Sequence, residues 1–182
     1  MSSDQSTAST VILPFWLYAG PFVQFPFDEG VRIENWDSRT FAFVTLRGPL
    51  NDFPPPGFAI HIMSPKLQEV ISAAAPGAIQ FLPIGIRSWV GEEIAHGFAV
   101  ANYLIWCKAV DAKRSVPWAG MQKVIKHKGY YLLSKLVLNA KKIDAPIFRV
   151  TGLENVHVYR EDVVERINAM GATGVVFEPI ES

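Results

Sequence analysis

A gapless internal repeat is the feature of this sequence that most restricts its fold. The segment IHIMSPKLQEVISAAAPGAIQFLPI at residues 60–84 aligns over 25 residues with VHVYREDVVERINAMGATGVVFEPI at residues 156–180. Seven aligned positions are identical, among them His61 with His157 and Phe81 with Phe177. Because similar sequences fold alike locally, two copies of one pattern predict two copies of one supersecondary unit.

The first copy has the pattern of a strand, a helix and a second strand. Ser64 is suited to cap a helix, and Pro65 is suited to the first helical position. Apolar residues then follow at the spacing of one helical face, namely Leu67, Val70, Ile71 and Ala74. Pro76-Gly77 ends this pattern, and AIQFLPI predicts the return strand.

The second copy follows the same plan. Val163, Ile167 and Met170 form its apolar stripe, and Gly171 ends it. Arg160 stands in place of the capping serine, which predicts a weaker helix start. GATGVVFEPI, at residues 171–180, is predicted as the return strand. Two strands joined by one helix can pair as a right-handed parallel unit.

The residues between and before the copies complete the predicted fold. Strands over 98–110, 130–140 and 146–150 would form a central antiparallel meander, with a buried helix as the alternative for 98–110. The fold class expected is α+β: a mixed β-sheet with two repeated strand-helix-strand units and that meander.

Three regions are expected along the chain. Residues 1–10 form a polar, disordered lead. Residues 11–56 form an aromatic and proline-rich strand region that includes RTFAFVTL at 39–46. Residues 57–182 form one domain that contains both copies.

The neutral formal charge of the chain hides a strongly basic section. Residues 108–142 contain nine Lys or Arg against Asp111 alone, a net charge of +8. Three interpretations stay open for this basic section: a solvated face, a surface for an acidic protein, or a surface for nucleic acid with Trp118, Tyr130 and Tyr131 available for stacking.

Candidate catalytic residues are few. His61 and His157 occupy equivalent strand positions, where they either line a shared site or simply fill half-buried positions; no carboxylate accompanies them at equivalent spacing. Glu93 and His96 have the Glu-x-x-His spacing of di-iron proteins, but the second motif that such sites need is missing and flanking glycines predict a turn. Cys107 lies in an apolar strand and is expected to be buried and structural.

Enzymatic motifs are also missing from the sequence. It contains no Gly-x-Gly-x-x-Gly, no Walker loop and no Gly-x-Ser-x-Gly. We therefore expect no catalysis, no metal and no cofactor, with a site built on His61 and His157 as the one enzymatic alternative.

The N-terminal sequence favours a cytoplasmic location without membrane attachment. MSSDQSTAST has no positive charge, and the apolar run that follows is broken by Pro14, Pro21 and Pro26. A signal peptide needs a positive region before its apolar core, and a membrane helix needs roughly 20 unbroken apolar residues.

Several segments together resemble a known family. A serine-capped helix runs into FLPI, Val110-Asp111 is followed by Ser115, IFRV forms a strand, and the chain closes on TGVVFEPI. This combination, over residues 57–181, resembles the immunity proteins of bacterial polymorphic-toxin systems known as immunity family eleven. The aromatic N-terminal 50 residues lie outside the resemblance.

The resemblance implies an antidote that binds a cognate toxin and covers its active site without catalysing a reaction. The family does not supply the contact surface for this chain. Aromatic residues and arginine are enriched at binding hot spots, and they would provide anchors either near residues 11–41 or in the basic section. The residues selected as toxin-binding are Trp118, Lys123, Lys126 and Lys128. The alternative is a nucleic-acid-binding module that uses the basic section.

Overall fold

The computed structural model of the chain describes residues 11–12, 27, 29–37, 39–44, 50–54, 60–88, 90–121, 123–124, 126–127 and 130–182. Within these residues the chain forms twelve strands, two α-helices and one 3-10 helix. The fold class is therefore α+β with mixed sheets, as the sequence predicts. The predicted disordered lead, residues 1–10, lies outside the described residues.

The larger sheet contains five strands in the order β1-β2-β4-β5-β3. These strands are β1 (Val11–Ile12), β2 (Phe41–Val44), β3 (Ile62–Met63), β4 (Ile79–Ser88) and β5 (Glu93–Tyr103). β2 runs parallel to β4, while β5 pairs antiparallel with both β4 and β3. β3 and β4 flank helix α1 (Pro65–Ala74) and run in the same direction, but β5 lies between them. The first copy is thus strand-helix-strand, although its two strands are not the direct neighbours that we predicted.

A second sheet has three strands in the order β12-β11-β6. They are β6 (Trp106–Cys107), β11 (Ile147–Val150) and β12 (Leu153–Tyr159), and helix α2 (Glu161–Ala169) follows β12. Two short antiparallel ribbons complete the described strands. They join β7 (Val116–Pro117) to β10 (Leu133–Lys135) and β8 (Lys126–His127) to β9 (Tyr130–Tyr131). The 3-10 helix spans Ala140–Lys142.

The predicted antiparallel meander is wrong. Residues 98–110 are extended rather than helical, but β5 ends at Tyr103 and the chain then enters the second sheet. The Leu104 N–H donates to the Ala78 carbonyl (3.0 Å), and the Ile105 carbonyl accepts from Arg149 N–H (2.9 Å). Because its main-chain partners change at this point, β6 pairs in parallel with β11 instead of continuing β5. The predicted strand 130–140 forms β9 and β10, which pair with β8 and β7, and one isolated antiparallel bridge from Val110 to Leu138 joins it to 98–110.

The predicted return strand at residues 171–180 is also wrong. No strand forms there, and the pairing of this tail is a single parallel bridge from Glu181 to Val137. Thr173 explains the difference, because its N–H donates to the Asp52 carboxylate (3.0 Å) and its carbonyl accepts from Phe53 N–H (3.0 Å). These bonds direct the tail toward the residues that precede β3. The second copy therefore keeps its strand and helix but not its second strand.

Both predicted helices form, and their apolar faces share one core. Leu67 and Ile71 of α1 are buried together with Val163 and Ile167 of α2, which are the aligned positions of the two copies. Ser64 caps α1, since its hydroxyl accepts from the Leu67 N–H (3.2 Å). α2 has no side-chain cap, in line with Arg160 at that position, but carries acidic residues in its first turn.

The N-terminal region contributes directly to the larger sheet. The Gln80 side chain makes two hydrogen bonds with the Ile33 main chain, each 2.9 Å, and so imitates a strand partner. The Asn102 amide donates to the Val31 carbonyl (2.8 Å). The buried amide of Asn102 and the half-buried amide of Gln80 thus fix residues 31–33 against β4 and β5.

Candidate functional site

Trp118, the aromatic residue selected from the sequence, lies on a hydrogen-bonded turn at the surface. It follows β7, its N–H donates to the Leu132 carbonyl (3.2 Å), and its carbonyl accepts from Met121 N–H (3.0 Å). The Trp118 side chain is 59% exposed and that of Val116 is 45% exposed. A large apolar side chain is therefore held in water by an ordered main chain.

The structure describes the three selected lysines to different extents. Lys123 is exposed and follows the Trp118 turn. Lys126 belongs to β8, of which the structure describes the backbone, and Lys128 lies outside the described residues. That these lysines and Trp118 act as one surface stays a prediction.

Part of the basic section is neutralised within the chain. Glu181 pairs with Lys135 (2.8 Å) and with Arg114 (2.6 Å). The hydrogen bonds from Lys135 and Arg114 lower the pKa of the Glu181 carboxyl. These contacts attach the C-terminal residues to the β7–β10 ribbon. Other lysines of the section remain exposed, namely Lys108, Lys113, Lys123, Lys141 and Lys142.

A second cluster lies where the two sheets meet. His61 precedes β3, and His157 lies on β12, so the aligned histidines of the two copies come from different sheets. Their ring centroids are 4.4 Å apart. His157 also stacks at 4.2 Å from the ring of Tyr103, which belongs to β5.

A short chain of hydrogen bonds runs from His61 into the core. His61 Nδ1 is 2.8 Å from the Tyr103 hydroxyl, which is 2.6 Å from the Tyr159 hydroxyl. Burial raises the pKa of both tyrosines, so both hydroxyls keep their protons. In the tautomer with its proton on Nε2, a neutral His61 accepts from Tyr103, which in turn accepts from Tyr159.

Arg149 lies beside this chain, in register with His157 on the neighbouring strand. Its side chain is buried, Nη1 donates to the Phe27 carbonyl (2.6 Å), and the guanidinium lies 4.3 Å from the centre of the Trp106 ring. Burial and the Arg149 charge lower the pKa of His61 to about 4. Burial, His61 and Arg149 lower that of His157 to about 3.

A comparison with family models matches the sequence of this chain to a known family. The model of the Imm11 immunity protein family matches residues 14–182. The chain belongs to the Imm11 immunity protein family. The match begins well before residue 57, so it includes the aromatic N-terminal region that the resemblance left outside. A search of curated proteins found no match to the chain.

Two further residues considered in the sequence, His96 and Cys107 of this Imm11 protein, show no catalytic arrangement among the residues that the structure describes. His96 lies on β5 rather than in the predicted turn, which is limited to the residues around Gly91. Its exposed ring is 3.1 Å from a Glu93 carboxylate oxygen. Cys107 is buried, as expected, and burial together with the nearby Asp144 raises the pKa of its thiol.

The residues that the structure describes contain neither a metal-binding cluster nor a membrane-spanning helix. No group of three His, Cys, Asp or Glu side chains lies close enough there to hold a metal ion. No helix in that part of the chain is long and apolar enough to cross a membrane.

The sequence indicated the two histidines but not their partners. A small cleft at the sheet junction is lined by both histidines, Tyr103, Arg149 and Phe27, which come from distant parts of the Imm11 chain. One signal was available: Arg149 is the charged residue in the otherwise apolar strand IFRV, and a charge at such a position predicts a buried polar contact.

Proposed function

We propose that this Imm11 protein neutralises a cognate bacterial toxin in the cytoplasm by binding it directly and covering its active site. Membership of an immunity protein family supports the antidote role. The observation that carries the binding proposal is the exposed indole of Trp118 on its hydrogen-bonded turn. Binding alone is sufficient for an antidote, so no catalytic step is assigned to this chain.

The Trp118 turn has the properties of a binding hot spot. Tryptophan combines a large apolar area with few rotatable bonds, and ordering it in advance lowers the entropy lost on binding. The main-chain bonds to Leu132 and Met121 supply that order. Exposed Val116 extends the apolar area next to Trp118.

The charges around this turn define the partner that we propose. Lys113 and Lys123 are exposed and belong to a section with a net charge of +8. An acidic toxin surface with an apolar recess for the indole complements such a surface. Opposite charges accelerate the encounter and discriminate against other partners.

The test compares two triple variants with the same change in charge. Lys123, Lys126 and Lys128→Glu should weaken toxin binding by tenfold or more, and Trp118→Ala by about 30-fold, the level of a hot-spot residue. Lys108, Lys141 and Lys142→Glu is the matched control, because these lysines are exposed elsewhere in the basic section. Calorimetry with the toxin domain measures affinity, and co-expression in bacteria measures rescue of growth.

Two outcomes would contradict the proposal. Equal affinities of the two triple variants would remove the Trp118 surface as the contact. Rescue of growth without a stoichiometric complex would remove direct inhibition altogether.

Nucleic-acid binding is the second candidate function, favoured by the same combination of exposed Trp118 and lysines. This function predicts an affinity for random DNA or RNA that falls steeply as the salt concentration increases. A weak, salt-insensitive signal would leave toxin binding as the function of this surface.

A further inference from the structure

The contact between His61 and His157 lies at a mechanically important place. His61 stands four residues before the start of α1, and His157 stands four residues before the start of α2. The contact therefore links the two sheets close to the points where the chain enters α1 and α2. Any force that separates the two rings acts on both strand-to-helix junctions and on the shared core of the helices.

The surroundings of the pair are unfavourable for added positive charge. Among the described residues, the titratable or charged groups that face it are Arg149 from β11, Tyr103 from β5 and Tyr159 from β12. Arg149 is already cationic, and the tyrosines are neutral. The rings themselves are 4.4 Å apart, so protons on both would place two cations in direct contact beside a third.

Protonation of His61 also disturbs the hydrogen bonds below it. When the neutral ring carries its proton on Nε2, Nδ1 accepts from the Tyr103 hydroxyl at 2.8 Å. A protonated Nδ1 can only donate, so the direction of the Tyr103–Tyr159 chain must reverse. The Tyr159 hydroxyl proton then loses its acceptor in the chain.

We propose that the His61–His157 contact is an acid-sensitive connection between the two sheets, which holds them together while both rings are neutral and releases them when the rings take up protons. The released form keeps its helices and strands, because their internal hydrogen bonds do not involve these side chains. It loses the packing of the tyrosines and Trp106 at the sheet junction.

The pKa values agree with this proposal in sign. Both histidines have an ordinary pKa of 6.5 that falls in the folded chain, to about 4 for His61 and about 3 for His157. Below pH 6.5 the two histidines bind protons in the unfolded chain but stay neutral in the folded chain. The stabilisation is therefore complete above pH 6.5 and is lost as the pH falls toward 4.

The experiment measures unfolding by urea from pH 7 to pH 4.5 for the parent and for His61→Gln/His157→Gln. Each histidine that refuses a proton changes the unfolding constant by up to about tenfold per pH unit, and the pair by up to about a hundredfold. The parent should show this dependence, and the double variant should lose most of it. Glutamine keeps an amide oxygen that accepts from Tyr103. His96→Gln, which alters an exposed ring on β5, should retain the parent behaviour.

A second measurement keeps the proposal testable if the double variant does not fold. Imidazole NMR resonances of the parent should show both junction histidines still neutral at pH 5.5. Near-ultraviolet circular dichroism should decrease on further acidification while the far-ultraviolet signal persists. Protonation of either junction ring near pH 6.5, or an equal pH dependence in the double variant, would overturn the proposal.

Discussion

At the scale of single residues, Gly30 shows how closely the N-terminal region fits the sheet junction. Its φ is +68°, a conformation that other residues adopt at a cost of about 1–2 kcal/mol. A Cβ there would lie 2.5 Å from Trp106 Cδ1 and 2.9 Å from the Leu104 carbonyl oxygen. The Trp106 ring in turn lies against Arg149. Gly30 thus provides the space in which that stack forms.

Gly30→Ala should destabilise the fold by about 3 kcal/mol, since backbone strain adds to the overpacking of Trp106. Gly120→Ala is the control: its φ is +88° but a Cβ there meets no atom within 4 Å, so strain alone should cost about 1 kcal/mol. Urea unfolding measures both. Equal losses of unfolding free energy in the two variants would show that the Trp106 side chain moves aside at no cost in stability.

At the scale of elements, α1 and α2 differ at their N-cap residues, Ser64 and Arg160, and this difference should be measurable in the free energy of unfolding. Ser64→Ala removes the side-chain cap of α1 together with the hydrogen bond to Asp52, and should lower the free energy of unfolding by about 2 kcal/mol. Ser72→Ala is the matched control, because Ser72 is exposed within the same helix and caps nothing. Arg160→Ser should strengthen the uncapped α2. A Ser64→Ala loss no larger than that of Ser72→Ala would contradict this role.

Elements also show what the sequence can and cannot predict. The helices were predicted because their signals are local: Ser64, Pro65 and an apolar stripe all lie within one short segment. The tail strand was mispredicted because its fate depends on Asp52, 121 residues away from Thr173. The two histidines were recognisable in the sequence as an identical position of the two copies. Tyr103 and Arg149 lie beside them only because strands from two sheets pack together.

At the scale of the whole molecule, the C-terminal tail connects regions that the sheets leave separate. At its end, Glu181 pairs with Arg114 and Lys135 of the basic section. At its start, Thr173 binds Asp52, whose carboxylate also accepts from the Ser64 hydroxyl (2.7 Å). One carboxylate therefore joins the start of α1 to the segment that follows α2. The tail, which was predicted to be the return strand of the second copy, thus holds the two copies together.

Asp52→Asn should release the start of the tail, because an amide that turns its NH₂ group toward Thr173 offers no acceptor there. We expect backbone amides over residues 172–176 to exchange with solvent about tenfold faster, as measured by hydrogen exchange with mass spectrometry. Asp37→Asn is the matched control, since Asp37 binds the exposed Arg39 rather than the tail. Unchanged exchange in Asp52→Asn would show that the carboxylate is not required, and that the main-chain bonds to Thr173 and the ion pairs of Glu181 hold the segment.

The same contact should depend on pH in the parent chain. Burial acts to raise the pKa of Asp52, but the hydrogen bonds from Ser64 and Thr173 outweigh it and lower that pKa below 3.8. The contact therefore contributes its full stability above about pH 4 and loses it as the carboxylate protonates at lower pH. The histidine pair begins to lose its stabilisation at higher pH, from 6.5 down to about 3. Acidification should thus loosen the sheet junction first and free the tail second, an order that exchange measured at pH 7, 5 and 3 would test. Tail release before any change at the junction would contradict it.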